Sequence, residues 1–110
     1  MGYDLHITRA LDWTQNVGRE ISAAEWLALV ASDRELVADP SMSPLAVCYG
    51  AKAWFDWFEG NVFTSDPDRA TVEKMFEIAS RLNGIVQGDD FEIYETPLQW
   101  PRSDAQRPPA

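Results

Sequence analysis

The sequence predicts an α+β domain in which a single, mainly antiparallel sheet carries two helices packed on one face. Three observations support this class: an alternating strand at the start, two amphipathic helical segments, and short apolar runs bounded by turn residues. The predicted element order is β-α-β-β-β-α-β-β. A chain of 110 residues suits one domain. We assign that domain to residues 1–95 and a proline-rich C-terminal tail to residues 96–110.

The first strand and first helix have clear local patterns. Apolar and polar residues alternate over residues 3–8, a period of two that is typical of a half-buried strand. His6 then lies on the polar face of this strand, beside Asp4 and Thr8. Further along, Ser22 precedes Glu25 by three residues, which is the spacing of a capping box. A helix is therefore predicted over about residues 23–32.

The middle of the chain predicts an antiparallel meander. Strand-like runs occupy residues 45–49, 52–58 and 62–64, with a turn at 59–61. The central run is rich in aromatic residues. Its alternation assigns Trp54, Asp56 and Phe58 to one face and Phe55, Trp57 and Glu59 to the other. Large aromatic groups therefore point to both sides of the sheet, and helices on one side would leave one set uncovered.

A second helix is the clearest helical pattern in the sequence. Ser65 or Asp66 is its predicted cap, with Pro67 near its first position and Asn83 at its end. Its apolar stripe, which we expect to be buried, consists of Val72, Met75, Phe76, Ala79 and Leu82. Two short strands follow, at 85–87 and 91–94. Beyond them the tail is expected to fray, with Trp100 as its one anchor.

Composition narrows the classes of partner. The net charge is −9 and the isoelectric point about 4.3. Such a surface repels phosphate backbones and anionic lipid, so no nucleic acid and no membrane is expected as a partner. A basic protein would be attracted to it. The alternative is that the acidity only maintains solubility. The N-terminus lacks the pattern of a secretory signal, and no apolar run approaches the roughly 20 residues of a membrane span, so we expect a cytoplasmic protein.

The sequence carries no recognisable catalytic or metal motif. His6 and Cys48 are each the only residue of their type, which excludes an intrachain disulfide and a structural zinc site built from these two alone. Cys48 lies in an apolar strand, where thiols are usually inert, so a Cys–His dyad is disfavoured. We therefore predict no enzyme activity, no catalytic residue, no metal and no cofactor.

Two stretches are candidate partner-binding surfaces. The first combines aromatic and acidic side chains, the composition of an interface hot spot: Trp54, Asp56, Trp57 and Glu59. The second is an acidic segment after Gly88: Asp89, Asp90 and Glu92. The simpler interpretation of the second stretch is a tight turn followed by a solvated strand face, and it matches no known calcium loop.

The opening GYDLHITRA, the stretch EWLALVASD and the ending GDDFEIYE resemble a group of small bacterial proteins without an assigned activity. These share a GYDLHITR-like start, an EWL-type first helix and a GDDGE-Y-like end, although Phe91 stands where the similar sequences often have Gly. The resemblance carries over no site residue. It is compatible with an immunity protein that neutralises a bacterial toxin, and the partner would then be the basic face of a toxin domain.

Two other functions remain open from the sequence alone. The chain could be a small-molecule-binding or enzymatic domain with an acidic cleft edged by Asp4, His6, Asp56 or the turn at 89–92. It could also be an accessory protein that forms a homodimer through its aromatic strand. A toxin gene beside the gene for this protein would favour the immunity role, whereas a metabolic operon would favour the ligand-binding domain.

Overall fold

The computed structural model describes residues 2–101 and contains two α-helices and a seven-stranded sheet in that range. All strand pairs are antiparallel, which confirms the predicted fold class. The spatial order is β2-β3-β4-β5-β1-β6-β7. The strands are β1 (Asp4–Thr8), β2 (Leu36–Ala38), β3 (Val47–Tyr49), β4 (Ala53–Phe58), β5 (Asn61–Ser65), β6 (Ile85–Gly88) and β7 (Ile93–Tyr94), and the helices are α1 (Ala23–Ala31) and α2 (Arg69–Leu82).

The hydrophobic core lies on one side of the sheet. Both helices contribute to it, with Trp26 of α1 and Met75 of α2 fully buried. The strands contribute their alternate residues, including Leu5, Phe55 and Val62. The opposite face of the sheet carries no helix among the described residues, and we call it the open face. Neither helix has the length and apolar composition needed to cross a membrane within residues 2–101.

The capping prediction for α1 is confirmed, but the one for α2 is shifted. Ser22 accepts a hydrogen bond from the Glu25 backbone, and the Glu25 carboxylate accepts one from the Ser22 backbone, each at 3.0 Å. Helix α2 is capped by Asp68 rather than by Ser65 or Asp66. The Asp68 carboxylate accepts from the Thr71 backbone at 2.8 Å, and Pro67 lies before the helix. Asp is as good a cap as Ser, so the local pattern did not distinguish these neighbours.

The structure adds one strand that was not predicted and corrects the predicted burial of one residue in α2. Strand β2 was not predicted, because it has three residues and two of them, Val37 and Ala38, are exposed and give no apolar alternation. In α2, Phe76 is only partly buried and packs against the edge of the core, while Ile78 is fully buried in its place. The remaining stripe residues, Val72, Met75, Ala79 and Leu82, are buried as predicted.

The turn between β4 and β5 is a two-residue hairpin loop. Phe58 pairs with Asn61, and the intervening Glu59 and Gly60 both have positive φ, 48° and 85°. Positive φ at both positions is the type I′ geometry that matches the twist of a hairpin. A Cβ atom on Gly60 would lie 2.6 Å from Glu20 Cβ, so only glycine fits there. Because this turn is fixed, Glu59 is held at one end of the open face.

The chain after β7 packs back onto the domain as far as it is described. A short 3₁₀ helix spans Pro97–Gln99. The Trp100 indole donates to the Pro67 carbonyl at 2.7 Å, and its ring lies 5.9 Å from those of Tyr3 and Tyr94. Trp100 thus anchors this segment. The part of the predicted tail from residue 102 onward lies outside the described residues.

Candidate functional site

The open face contains a cleft of about 430 Å³ between the loop after β1 and the β4–β5 hairpin. A volume of this size is within the range of small-molecule and side-chain sites. Among residues 2–101, its lining has two carboxylates and no Lys or Arg. The lining residues are Asp4, His6, Trp13, Thr14, Asn16, Phe58, Glu59, Asn61 and Phe63. Asp4 is opposite Ser65 at one end of β5, while Glu59 lies just beyond the other end. We call these the Asp4 end and the Glu59 end.

His6 is buried although it belongs to the polar face of β1. It is 5% exposed because the indole of Trp13 stacks on its imidazole, with ring centroids 3.8 Å apart and planes 9° apart. In the plane of the ring, His6 Nε2 lies 2.8 Å from Asp89 Oδ1. The sequence correctly predicted that His6 lies on the polar face of β1. It did not predict that Trp13, from the loop after β1, covers the imidazole.

Two buried side-chain amides hold that loop on the sheet. Gln87 is fully buried in β6, accepts from the Trp13 backbone at 2.8 Å and donates to the Leu11 carbonyl at 2.9 Å. From β5, Asn61 donates to the Trp13 carbonyl at 2.8 Å. These bonds satisfy backbone groups of the loop. Hydrogen bonds from β5 and β6 therefore fix the position of Trp13 above His6.

The acidic turn is less exposed than the sequence predicted. Asp89 is partly buried: its Oδ2 accepts from the Asp4 backbone at 2.8 Å while its Oδ1 faces His6. Glu92 is partly buried too and accepts from the hydroxyls of Tyr3 and Tyr94. Only Asp90 of the three is exposed. The expectation that Asp89 and Glu92 point freely into solvent is wrong, because both satisfy donors of neighbouring strands.

Phe91 occupies a glycine-like position in this turn. Its φ is 69°, a left-handed conformation that is uncommon for a bulky residue. Its ring lies 6.4 Å from that of Trp13 and remains half exposed. The backbone here thus requires the conformation that favours glycine, while the side chain extends the aromatic cover over His6.

Asp4, His6 and Asp89 together form a group of donors that could hold a metal ion. One donor atom from each residue lies within 4.8 Å of the others. The sequence named Asp4, His6 and the turn at 89–92 as alternative edges of an acidic cleft but predicted no metal group, because Asp89 is far from β1 along the chain and reaches it through the β1–β6 pairing. The available signal was local: Asp4 and His6 are two residues apart on one strand and share a face.

The aromatic strand β4 is divided between the two faces of the sheet. Trp54 lies on the open face, partly buried, with its ring 5.6 Å from Phe63 in an edge-on arrangement. Asp56 is on the same face, paired across the strands with Phe63. Trp57 faces the helices and donates its indole N–H to the Ile21 carbonyl at 2.8 Å. Trp57 therefore cannot share one surface with Trp54 and Asp56.

Strand β4 is also an interior strand. Its two edges are hydrogen-bonded to β3 and β5, so a second copy cannot add to it edge to edge. A homodimer through the open face of β4 stays a prediction.

Cys48 faces the open side of the sheet from β3, where its thiol lies 3.4 Å from Asp39 Oδ2. The hydrogen bond to the Asp39 carboxylate and partial burial raise the pKa of the Cys48 thiol. A raised pKa disfavours the thiolate, which is the nucleophilic form. Cys48 and His6 lie on strands separated by β4 and β5, and Cys48 does not line the cleft. The structure therefore does not bring the two together as a dyad.

Comparisons of the chain with protein-family models, curated proteins and solved structures found no match.

Proposed function

We propose that this protein binds a basic protein partner in the cytoplasm, as an immunity protein would bind a toxin domain. One observation carries the proposal. The cleft on the open face has aromatic walls, a carboxylate toward each end and, within the described chain, no Lys or Arg in its lining. It belongs to a molecule with a net charge of −9. A site of this kind favours a ligand with an apolar stem and a positive charge, which is the chemistry of a lysine or arginine side chain.

The aromatic walls and the acidic ends of the cleft would contribute to binding in different ways. Trp13, Phe58 and Phe63 offer ring surface to the alkyl stem of such a side chain, and a ring face attracts a cation by about 0.5–2 kcal/mol. Glu59 is exposed at the rim and can pair with the charged group. The acidic surface as a whole increases the rate of association with a basic protein, an effect that weakens with salt.

The structure changes which predicted residues can take part. Trp54, Asp56 and Glu59 lie on the open face or at its end and remain in the proposed surface. Asp90 is exposed and remains in it too. Trp57 faces the core, and Asp89 and Glu92 hydrogen-bond neighbouring groups of the protein. These three residues would support the shape of the surface rather than pair directly with the partner.

The test compares two charge reversals that differ in position alone. Glu59→Lys changes the cleft, and Glu73→Lys makes the same change at an exposed site on α2, on the other side of the sheet. Tagged wild-type protein should capture a basic partner from lysate of the source cells. The partner should be lost with Glu59→Lys and retained with Glu73→Lys.

Binding kinetics with the purified partner then distinguish long-range electrostatic attraction, which changes the association rate, from direct contact, which changes the dissociation rate. Association of the wild-type protein should slow as salt is raised, and Trp54→Ala should mainly speed dissociation. Equal loss of the partner with both lysine variants would show that only net charge matters. Failure to recover any basic partner would contradict the proposal.

A second candidate is the small-molecule-binding or enzymatic domain that the sequence left open. It is favoured by the His6–Asp89 pair, which lies next to a cleft of small-molecule size. A histidine bonded to a carboxylate can hold or transfer a proton. Thermal-shift screening with small amines and guanidines distinguishes the candidates. Stabilisation by a free small molecule, abolished by Phe63→Ala, would favour this second function.

A further inference from the structure

We propose that Asp4, His6 and Asp89 bind one divalent transition-metal ion, with Zn²⁺ as the representative, at the Asp4 end of the cleft. The three side chains come from the first strand and from the turn after β6. One donor atom of each lies within 4.8 Å of the others, and His6 Nε2 and Asp89 Oδ1 are 2.8 Å apart. This inference does not depend on the proposed partner.

The spacing suits a single ion. Oxygen and nitrogen ligands lie about 2.0–2.2 Å from Zn²⁺, so two ligands of one ion are at most about 4.4 Å apart. Adjacent ligands of a tetrahedral ion are about 3.3–3.6 Å apart, so the His6–Asp89 pair, hydrogen-bonded at 2.8 Å, would separate slightly as the ion replaces the shared proton. Wider separations among the three donors, all within 4.8 Å, would close to the same range. An imidazole with two carboxylates is a donor set that first-row transition metals accept, and two carboxylates balance the charge of a divalent ion.

Hydrogen bonds and ring stacking hold the three donors in place, as neighbouring groups do around the ligands of a metal site. Asp4 accepts a hydrogen bond from the Ser65 hydroxyl. Asp89 Oδ2 accepts from the Asp4 backbone at 2.8 Å. The Trp13 indole fixes the plane of the His6 ring by stacking on it. Such constraints reduce the entropy lost when an ion is bound.

A second observation concerns Trp13, which is partly buried beside His6. The indole Nε1 of Trp13 is buried and has no hydrogen-bond partner among residues 2–101. Leaving a buried donor unpaired costs about 1–3 kcal/mol. Trp13 is in ring contact with His6 and lines the cleft beside it. A water or anion on a metal ion bound by His6 is an acceptor of the kind this donor lacks.

The proposed site would have an open position. Three protein ligands leave at least one coordination position of Zn²⁺ for water or for a bound molecule. Asp4 and His6 both line the cleft, so that position would face it. Glu59 lies toward the opposite end, beyond β5, and is left free for a positive group.

The experiment is calorimetric titration of the full, chelator-treated chain with Zn²⁺, together with the visible absorption of the Co²⁺ form. We expect one ion per chain and Co²⁺ bands of a low-coordinate N/O site. His6→Gln, Asp4→Asn and Asp89→Asn should each weaken Zn²⁺ binding about tenfold or more. The control Glu73→Gln removes one exposed carboxylate from α2 and should bind as the wild-type chain does.

The wild-type titration decides the proposal even if a variant fails to fold, which circular dichroism would show. Absence of one-to-one Zn²⁺ binding by the wild-type chain would overturn it. Equal affinity of folded Asp4→Asn and Asp89→Asn variants to that of the wild type would overturn it as well. Partner capture repeated with a chelator tests the proposed function separately, because that function needs Glu59 and not the metal.

Discussion

The indole of Trp13 and the imidazole of His6 are stacked 3.8 Å apart, so one loop residue covers the histidine of the chain. The loop itself is held by other groups, since Gln87 and Asn61 bond the Trp13 backbone. The residues that hold the loop are therefore different from the residue that covers His6. That separation makes Trp13 a side chain that can be removed without removing the loop.

Trp13→Ala should expose His6 while the loop keeps its course. We expect the variant to be less stable by about 1–3 kcal/mol, because a partly buried ring and its contacts with the His6 and Phe91 rings are lost. Reactivity of His6 with diethylpyrocarbonate should rise strongly. Trp13→Phe retains a ring at this position and should react much more slowly than Trp13→Ala. Equal reactivity of the wild-type chain and Trp13→Ala would show that the stack does not cover His6.

The sequence predicted the fold better than the site, for a physical reason. Periodicity is local, so β1, α1 and most of the α2 stripe were found from neighbours in the chain. The cover of His6 depends on Trp13, Gln87 and Asn61, which meet only through the β1–β5 and β1–β6 pairings. No local pattern encodes that meeting. Likewise, the sequence predicted a turn at Asp89, but it did not predict the hydrogen bonds of Asp89 to His6 and Asp4.

Alanine substitution of two neighbouring residues in the α2 stripe should reduce stability by unequal amounts. Met75 is fully buried, so Met75→Ala should destabilise the protein by about 2–5 kcal/mol. Phe76 is only partly buried, and Phe76→Ala should cost less than the roughly 3–5 kcal/mol expected for an enclosed ring. Urea denaturation of the two variants measures the difference. A larger loss for Phe76→Ala than for Met75→Ala would contradict the placement of this helix.

Lys74 is a buried cation with three carboxylate partners. Its ammonium donates to Asp33 at 2.8 Å, Glu35 at 2.6 Å and Glu77 at 3.3 Å, and its side chain is 1% exposed. Burial alone would lower the pKa of Lys74, but these hydrogen bonds outweigh it and raise that pKa above its ordinary range. Removing the charge would leave the buried Asp33 carboxylate with Arg81 as its remaining cation.

Lys74→Ala should therefore destabilise the fold by about 3 kcal/mol, as expected when one partner of a buried pair is removed. Arg81 bonds the same Asp33 oxygen at 2.9 Å but is 36% exposed. Arg81→Ala should cost no more than about 1 kcal/mol, because exposed pairs contribute little. Thermal or urea denaturation compares the two variants. Equal losses would show that burial of Lys74 is not what makes its pairing important.

Glu25 should titrate far below its ordinary range. Hydrogen bonding to Arg9 is the largest cause and the bond from the Ser22 backbone the next, and together they lower the pKa of Glu25 from 4.5 to about 2. The group is stabilising when ionised. Its contribution is complete above about pH 4.5 and is lost as the pH falls toward 2.

Carboxyl NMR titration should give the pKa of Glu25 directly. Arg9→Gln should raise that pKa by more than Ser22→Ala does, because Arg9 supplies the larger effect. The stability advantage of the wild type over Glu25→Gln should shrink as the pH is lowered from 4.5 to 2. An advantage that stays constant across this window would mean that the Arg9–Glu25 pair does not form in solution.

Asp89 and Asp90 are adjacent carboxylates whose surroundings predict opposite responses to charge reversal. Asp89 accepts from the Asp4 backbone and faces His6, and both contacts join the turn to β1. Asp89→Lys would leave the Asp4 N–H without its acceptor and place a cation against the imidazole. Hydrogen bonds to charged groups contribute about 1.5–3 kcal/mol each, so we expect a loss of at least about 2 kcal/mol.

Asp90→Lys makes the same charge change at an exposed position. The side chain is exposed and its hydrogen bond from the Tyr3 hydroxyl is long, at 3.4 Å, so the free energy of unfolding should change by no more than about 0.5 kcal/mol. Urea denaturation of both variants at neutral pH provides the comparison. If Asp89→Lys proves as harmless as Asp90→Lys, the turn is a solvated one and the sequence-based interpretation was right. If Asp89→Lys alone is destabilising, the Asp89 carboxylate holds the turn against β1, and Asp90 is the exposed acidic group among Asp89, Asp90 and Glu92 that a partner could contact.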